Sequence, residues 1–189
     1  NIKKKYNTYE DNLSDEDYLE WMRLLFVEVK RVLRDSGSFF LNIGFTNKQP
    51  YINIDVCNVA RKLFVLQNNI SWVKSISIKR ESWDSYGHFR PIVSGRYLNQ
   101  QHESVYHFTK NGNIKINRLA VGVPYADKSN LDRYDKIKSD LRCRGNVWFI
   151  PYKTVSAGKG HPAGYPVELP INCILLHGLT PDLVVLDPF

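Results

Sequence analysis

Apolar side chains in this chain recur at helical spacing, then bunch into short β-branched or aromatic runs, and the two patterns take turns along the sequence. Tyr18, Met22, Leu25, Phe26, Val29 and Leu33 share one helical face behind Ser14 and Asp17, an acidic form of the capping box. That predicts a helix over 15–34, with Gly37 as its stop. Ser38-Phe-Phe-Leu-Asn-Ile-Gly44 is too short for a core helix and suits a strand buried on both faces. Ile52, Val56, Val59, Ala60, Leu63 and Phe64 return to helical spacing, and 65–78 turns β-branched and aromatic again. Glu103–Thr109 predicts a further strand, closed by Asn111-Gly112; 166–177 predicts an apolar helix stopped by Gly178; Leu183–Leu186 predicts a last strand. Alternation of this kind points to an α/β domain, a sheet of parallel strands with helices on both faces, which binds ligands beyond the carboxyl ends of its strands.

Two tracts break the rhythm. Residues 79–102 and 113–160 are polar, basic and rich in turn residues, as insertions at the ligand-bearing edge of such a sheet would be. With a net charge of +7 the chain favours a polyanionic partner. At 43% hydrophobic residues it can bury a core of its own, so a globular domain is expected rather than a disordered chain. No apolar run approaches the roughly 18 residues of a membrane helix, and Asn1-Ile-Lys-Lys-Lys5 is not a signal peptide, so a soluble, intracellular protein is expected. Cys57, Cys143 and Cys173 are far apart and outside any C-x-x-C pair, which suggests buried or incidental thiols rather than disulfides or zinc ligands. No metal is implied, since no His-Glu-x-x-His or similar spacing occurs, and His107 and His177 fall in apolar elements as core or helix-surface residues. The chain starts without Met and stops directly after an apolar run, so an excerpt of a longer polypeptide is expected.

Asp187 follows the run Leu183-Val-Val-Leu186, where a carboxylate at a strand end can reach a ribose or an amine. Alone, Asp-Pro in that place only starts a turn. It does not stand alone: His161-Pro-Ala-Gly-Tyr-Pro-Val-Glu-Leu-Pro170, a helix, and Leu183-Val-Val-Leu-Asp-Pro-Phe189 occur in that order. This arrangement resembles the beta-group (permuted) DNA amino-methyltransferases of restriction-modification systems. Upstream, Asn1-Ile-Lys-Lys-Lys-Tyr6 resembles the continuation of that family's catalytic loop, ahead of the helix and the Gly37-Ser-Phe-Phe-Leu-Asn-Ile-Gly44 strand, so the resemblance covers nearly the whole chain.

The resemblance implies a Rossmann-like sheet for S-adenosylmethionine-dependent methyl transfer, with helices on both faces and basic insertions. It implies a catalytic half over 1–112, a target-recognition insertion over 113–150 and the start of the cofactor-binding half over 151–189. His161, Pro162, Asp187, Pro188 and Phe189 would belong to the cofactor site. The catalytic tetrapeptide would lie immediately before Asn1, so these residues alone are expected to be inactive. In such a site an exocyclic amine, conjugated into its ring, gives its hydrogens to a side-chain oxygen and a prolyl carbonyl as the methyl group transfers, and the base must first leave the duplex. The implied reaction is methylation of cytosine N4 in double-stranded DNA, with adenine N6 as the alternative. A cognate restriction endonuclease would share the system without stable binding, in a prokaryotic cytoplasm.

Within this frame Tyr86, Phe89 and Tyr97 can stack on a base, and Arg90, Arg96 and Lys79-Arg80 can meet phosphates. The competing reading is a solvated loop, its arginines paired to Glu81, Asp84 and Glu103. Arg133, Lys136 and Lys138 lead the second basic tract, which could equally be a plain charged surface. Two rival functions follow from other classes. A non-enzymatic nucleic-acid-binding domain would explain the basic loops but gives no reason for the His161-Pro-Ala segment leading into Asp187-Pro-Phe189. An RNA or small-molecule methyltransferase would lack a large basic insertion between its halves.

Overall fold

The computed structural model describes residues 13–79, 84–87, 91–132, 139–151 and 165–188. The chain divides into two compact units, Asn1–Ile114 with Asn146–Pro166, and Lys115–Gly145 with Val167–Phe189.

The first unit opens with α1 (Asp15–Val32). Ser14 caps it by accepting the Asp17 N–H at 3.1 Å, while Asp15, Glu16 and Asp17 in the first turn and Lys30 and Arg31 in the last complement the helix dipole. β1 (Phe39–Ile43) and α2 (Ile52–Ala60) follow. The second helix is shorter than its spacing predicts, because Leu63 N–H and Phe64 N–H both turn back to the Ala60 carbonyl, at 2.9 and 3.0 Å. That tight turn drops Phe64 into the core and starts β2 (Val65–Val73) at once. The strand expected over 65–78 breaks at Lys74-Ser75, and β3 (Ile76–Lys79) pairs instead with β4 (Asp84–Gly87) in a separate hairpin. β5 (His102–Thr109) then returns between β1 and β2.

The sheet is therefore mixed, not parallel throughout as the alternation suggested. β5 runs antiparallel to both neighbours, so β1 and β2 share a direction without touching. A parallel crossover needs a helix or similar span, and the described part of the tract between β2 and β5 holds only the β3–β4 hairpin. A short strand, β8 (Val147–Phe149), extends the far edge, parallel to β2. Between β5 and β8 in the chain lie β6 (Val123–Pro124) and β7 (Leu141–Arg142).

Both described helices of this unit cover one face. Met22 and Phe26 from α1 and Val56 and Ala60 from α2 pack on Leu41, Phe64, Tyr106 and Phe108. Phe26 and Phe39 meet edge to face at 5.7 Å, and Phe39 stacks on Phe108 at 6.0 Å. Phe26 and Phe108, both fully buried, each contribute roughly 1.5–3 kcal/mol by removal from water, and the half-buried Phe39 less. On the opposite face Ile70, Trp72, Val105, Trp148 and Ile150 are buried, and Trp72 Nε1–H donates to the Ile150 carbonyl at 2.8 Å.

In the second unit β6 pairs with β7, followed in the chain by α4 (Glu168–His177); between the two strands lies the single turn α3 (Ser129–Asp132). α4 stops at Gly178, whose φ of 109° suits a residue without Cβ. Residues 183–188 form no strand, contrary to the expectation for Leu183–Leu186, and Val184, Val185 and Leu186 are exposed. β-branched side chains make a strand only where a neighbour completes the ladder, and among the described residues none does. No helix among the described residues is long and apolar enough to cross a membrane.

Candidate functional site

Because β1 and β2 run together, their carboxyl ends meet the amino end of β5 at one edge of the sheet. In α/β sheets that edge carries the ligands. Here it gathers Asn42, Gly44 and Phe45 from the exit of β1, Lys74 from the exit of β2, and His102 and Glu103 from the start of β5.

Glu103 is the hub. Its Oε2 accepts from Asn42 Nδ2 at 3.1 Å, and its Oε1 pairs with the Lys74 ammonium. The two charged side chains keep only 26% (Lys74) and 21% (Glu103) of their exposure, so the pair is screened less than a surface salt bridge. Asn42 Nδ2 also reaches the Ser104 carbonyl at 3.3 Å. A Cβ on Gly44 would stand 3.2 Å from Glu103 Cγ, Cδ and Oε1, so the absence of a side chain there lets the carboxylate lie against the strand exit. Nearby, Lys74 N–H donates to the Gln101 carbonyl at 2.9 Å, Gln100 Nε2 to Asn47 Oδ1 at 3.1 Å, and Phe45 meets His102 edge to face at 5.8 Å. None of Asn42, Gly44, Lys74 and Glu103 was singled out from sequence as a site residue. The available signal was a charged residue at each end of the tract, directly beside apolar strands.

The tract expected over 79–102 springs from this edge, but it leaves the sheet earlier, after β2, and spans 75–101. It brings Arg96 and Tyr97 together: the guanidinium donates to the Tyr97 hydroxyl at 2.6 Å and lies 4.9 Å from its ring centroid. Ser94 Oγ accepts both their backbone N–H groups, at 3.1 and 3.2 Å, and Asn99 Oδ1 accepts Ile92 N–H at 2.7 Å. Arg96 and Tyr97 are both exposed. Tyr86 lies on β4 of the same tract, while Phe89 and Arg90 lie outside the described residues. The carboxylate of Glu103, expected to pair with an arginine if this loop were only a solvated surface, is taken by Lys74 and Asn42 instead.

The second basic tract does not start from this edge. β5 runs against its neighbours, so Thr109 ends beside Val65 at the opposite edge. There a bulge at Gln67 turns its amide onto Ile114, donating at 2.6 Å and accepting at 3.0 Å. In the second unit Lys128 pairs with Asp140, holding that carboxyl below the usual range, and Asp127 is held low by Ser129. Arg133, Lys136 and Lys138 lie outside the described residues.

Of the residues expected at a cofactor, Asp187 and Pro188 are described and exposed, and His161, Pro162 and Phe189 lie outside the described residues, as does Asn1. Asp187 is exposed as a residue, and a carboxylate is the chemical type that accepts from a ribose diol or pairs with an ammonium group, so its chemistry is compatible with a nucleoside cofactor. The thiols divide by burial: Cys143 is exposed, Cys57 half-buried with its pKa raised, and Cys173 buried and pushed up to about 12 by desolvation. Among the described residues no group of three or more His, Cys, Asp or Glu side chains could hold a metal ion.

A family model described as DNA methylase matches residues 1–189. The DNA adenine methyltransferase YhdJ of Escherichia coli K12 is 25% identical over 198 residues, covering 100% of this chain and 61% of that protein. The type II methyltransferase M.BglII of Bacillus subtilis is 28% identical over 189 residues, 92% of this chain and 48% of its own length. Among solved structures, the PvuII DNA methyltransferase (cytosine-N4-specific) shares the fold with a TM-score of 0.59 at 18% identity, over 94% of this chain and 60% of that one. The chain thus spans about half to three fifths of the length of these relatives.

Proposed function

The chain belongs to the DNA methylase family, whose enzymes take their methyl group from S-adenosylmethionine, and from that premise we propose that it serves in a site-specific transfer of that group to cytosine N4 of duplex DNA. The observation that carries the reading is the match of the family model along residues 1–189. The α/β fold shared with a cytosine-N4-specific enzyme supports it. S-adenosylmethionine supplies an electrophilic methyl group; Asp187 and Pro188, with His161, Pro162 and Phe189, would hold the cofactor.

The chain's own residues do the rest by binding and orientation. Arg96 and Tyr97 offer a cation and an aromatic face on the loop that leaves the sheet's carboxyl edge, suited to a phosphate and a base that has left the stack. Tyr86, Phe89 and Arg90 belong to the same tract and would share that role. Arg133, Lys136 and Lys138 would meet the DNA backbone from the 113–150 insertion, between a catalytic half at 1–112 and a cofactor half from 151. In a restriction-modification system the product would protect the host's own sites from a cognate nuclease acting separately.

One observation favours a second reading: YhdJ, which matches 100% of this chain, is an adenine methyltransferase. Both target amines sit on six-membered rings, so one pocket chemistry serves either. Incubating the full-length protein with labelled S-adenosylmethionine and unmethylated duplex DNA, then resolving the nucleosides by mass spectrometry, tests the proposal. N4-methylcytosine is expected; N6-methyladenine alone would select the second reading. Label in RNA or free nucleosides but not in duplex DNA would overturn both.

A further inference from the structure

Resting on the reading of the 75–101 loop as the DNA-facing loop, we propose that Glu103 is a positioning residue: it clamps the neck of that loop to the exit of β1, and so presets the loop for DNA. The neck is where the chain leaves β2 at Lys74 and re-enters the sheet at His102. The Lys74–Glu103 ion pair and the Lys74 N–H bond to the Gln101 carbonyl, 2.9 Å, close it on itself. Asn42 Nδ2 to Glu103 at 3.1 Å, Gln100 to Asn47 at 3.1 Å and the Phe45–His102 contact at 5.8 Å fasten it to residues 42–47. The same β1 exit runs on through the Thr46–Gln49 turn, from which the Gln49 amide bonds Asp15 in the first turn of α1. Glu103 joins all three strands, since β5 carries it and its two carboxylate oxygens divide between β1 and the end of β2.

A buried apolar side chain at 103 could fill the space but could not hold Lys74. The carboxylate stays close because Gly44 leaves the room that a Cβ, 3.2 Å away, would take. Without the clamp the loop samples more arrangements, and apparent DNA affinity falls by the fraction that remains competent. The cofactor, held through other residues, does not sense that fraction. The effect therefore falls on KM for DNA, not on KM for S-adenosylmethionine or on kcat at saturating DNA.

Glu103→Gln and Lys74→Met, each in the full-length enzyme, should raise KM for duplex DNA by about tenfold, the scale of one charge-assisted hydrogen bond. The double variant should be no worse than either single one, because both break the same contact. Gly44→Ala, which crowds the carboxylate without removing charge, should move KM for DNA in the same direction and serves if Glu103→Gln fails to fold. KM for DNA within about twofold of wild type in every variant would overturn the inference, as would equal rises in KM for both substrates. A wild-type enzyme inactive on DNA would overturn the function and this inference with it; an active one with unaffected variants would overturn the clamp alone.

Discussion

Phe40 lies face to face with His107 across neighbouring strands, ring centroids 4.5 Å apart and planes 11° from parallel. Both are on the sheet face away from α1 and α2, where the imidazole is fully buried between two polar partners. Asn68 Nδ2 stands 2.9 Å from its Nδ1 and Ser38 Oγ 2.8 Å from its Nε2. An amide NH₂ only donates, so Nδ1 accepts and Nε2 carries the proton that goes to Ser38. His107→Leu keeps the bulk and removes both bonds, and should cost about 1–3 kcal/mol. Phe40→Leu should cost less, about 1 kcal/mol of ring stacking. Urea midpoints read both; an unchanged midpoint in His107→Leu would show these bonds to be energetically idle.

The three thiols give a second prediction. Exposed Cys143 should react with an aromatic disulfide reagent in the native protein, half-buried Cys57 more slowly, and Cys173 only on unfolding. Burial holds the Cys173 thiol at about 12, against an ordinary 9.0. A raised thiol pKa leaves stability intact below pH 9; above it, the unfolded chain sheds the proton that the folded one keeps. Stability should then fall as pH rises from 9 toward 12, by up to about 1.4 kcal/mol per pH unit from this group. Cys173→Ala should flatten that decline relative to wild type between pH 9 and 11, and parallel curves would dismiss the effect.

Helices were the most legible part of the chain, because Ser14, Phe26, Val56 and Gly178 signal start, face and stop locally. Strand existence was legible for 39–43, 65–73 and 102–109, but direction was not. What turns β5 antiparallel is a long-range choice of neighbour, and no period within Glu103–Thr109 records it. The same limit hid the edge cluster. Asn42, Lys74 and Glu103 are 32 and 29 residues apart in sequence, and only the 42↔105 and 73↔102 pairings bring them together. Leu183–Leu186 failed in the other direction, with strand-forming residues and no ladder. Arg96 and Tyr97 were legible one by one, as a cation and an aromatic ring, but their contact with each other depends on the Ser94 turn that folds the loop there.

Cofactor binding offers a third test, read without any turnover. In the full-length protein, S-adenosylmethionine should bind with a calorimetric signal that Asp187→Ala weakens by about tenfold or more, the value of a lost hydrogen bond to a charged acceptor. Asp182→Ala, five residues earlier in the same exposed segment, is the control and should bind as wild type does. Equal affinity in wild type and Asp187→Ala would remove that carboxylate from the cofactor site.

Salt dependence separates DNA contacts from mere surface charge. Each neutralised phosphate contributes about −0.9 to the slope of log affinity against log salt. If Arg133, Lys136 and Lys138 each meet one phosphate, reversing all three should flatten the slope by up to ~2.7. Arg96→Glu, on the separate loop at the sheet edge, should remove about one further unit. Arg23 and Arg31 provide the contrast, since each is bound at 2.7 Å to a glutamate one turn earlier on α1. Reversing those two changes net charge by a comparable amount but should leave the slope alone, because a contact and not the overall charge releases counterions. Equal flattening by both sets would mean that the basic tracts act only through the global field, and an affinity indifferent to salt would take the phosphate backbone out of the mechanism.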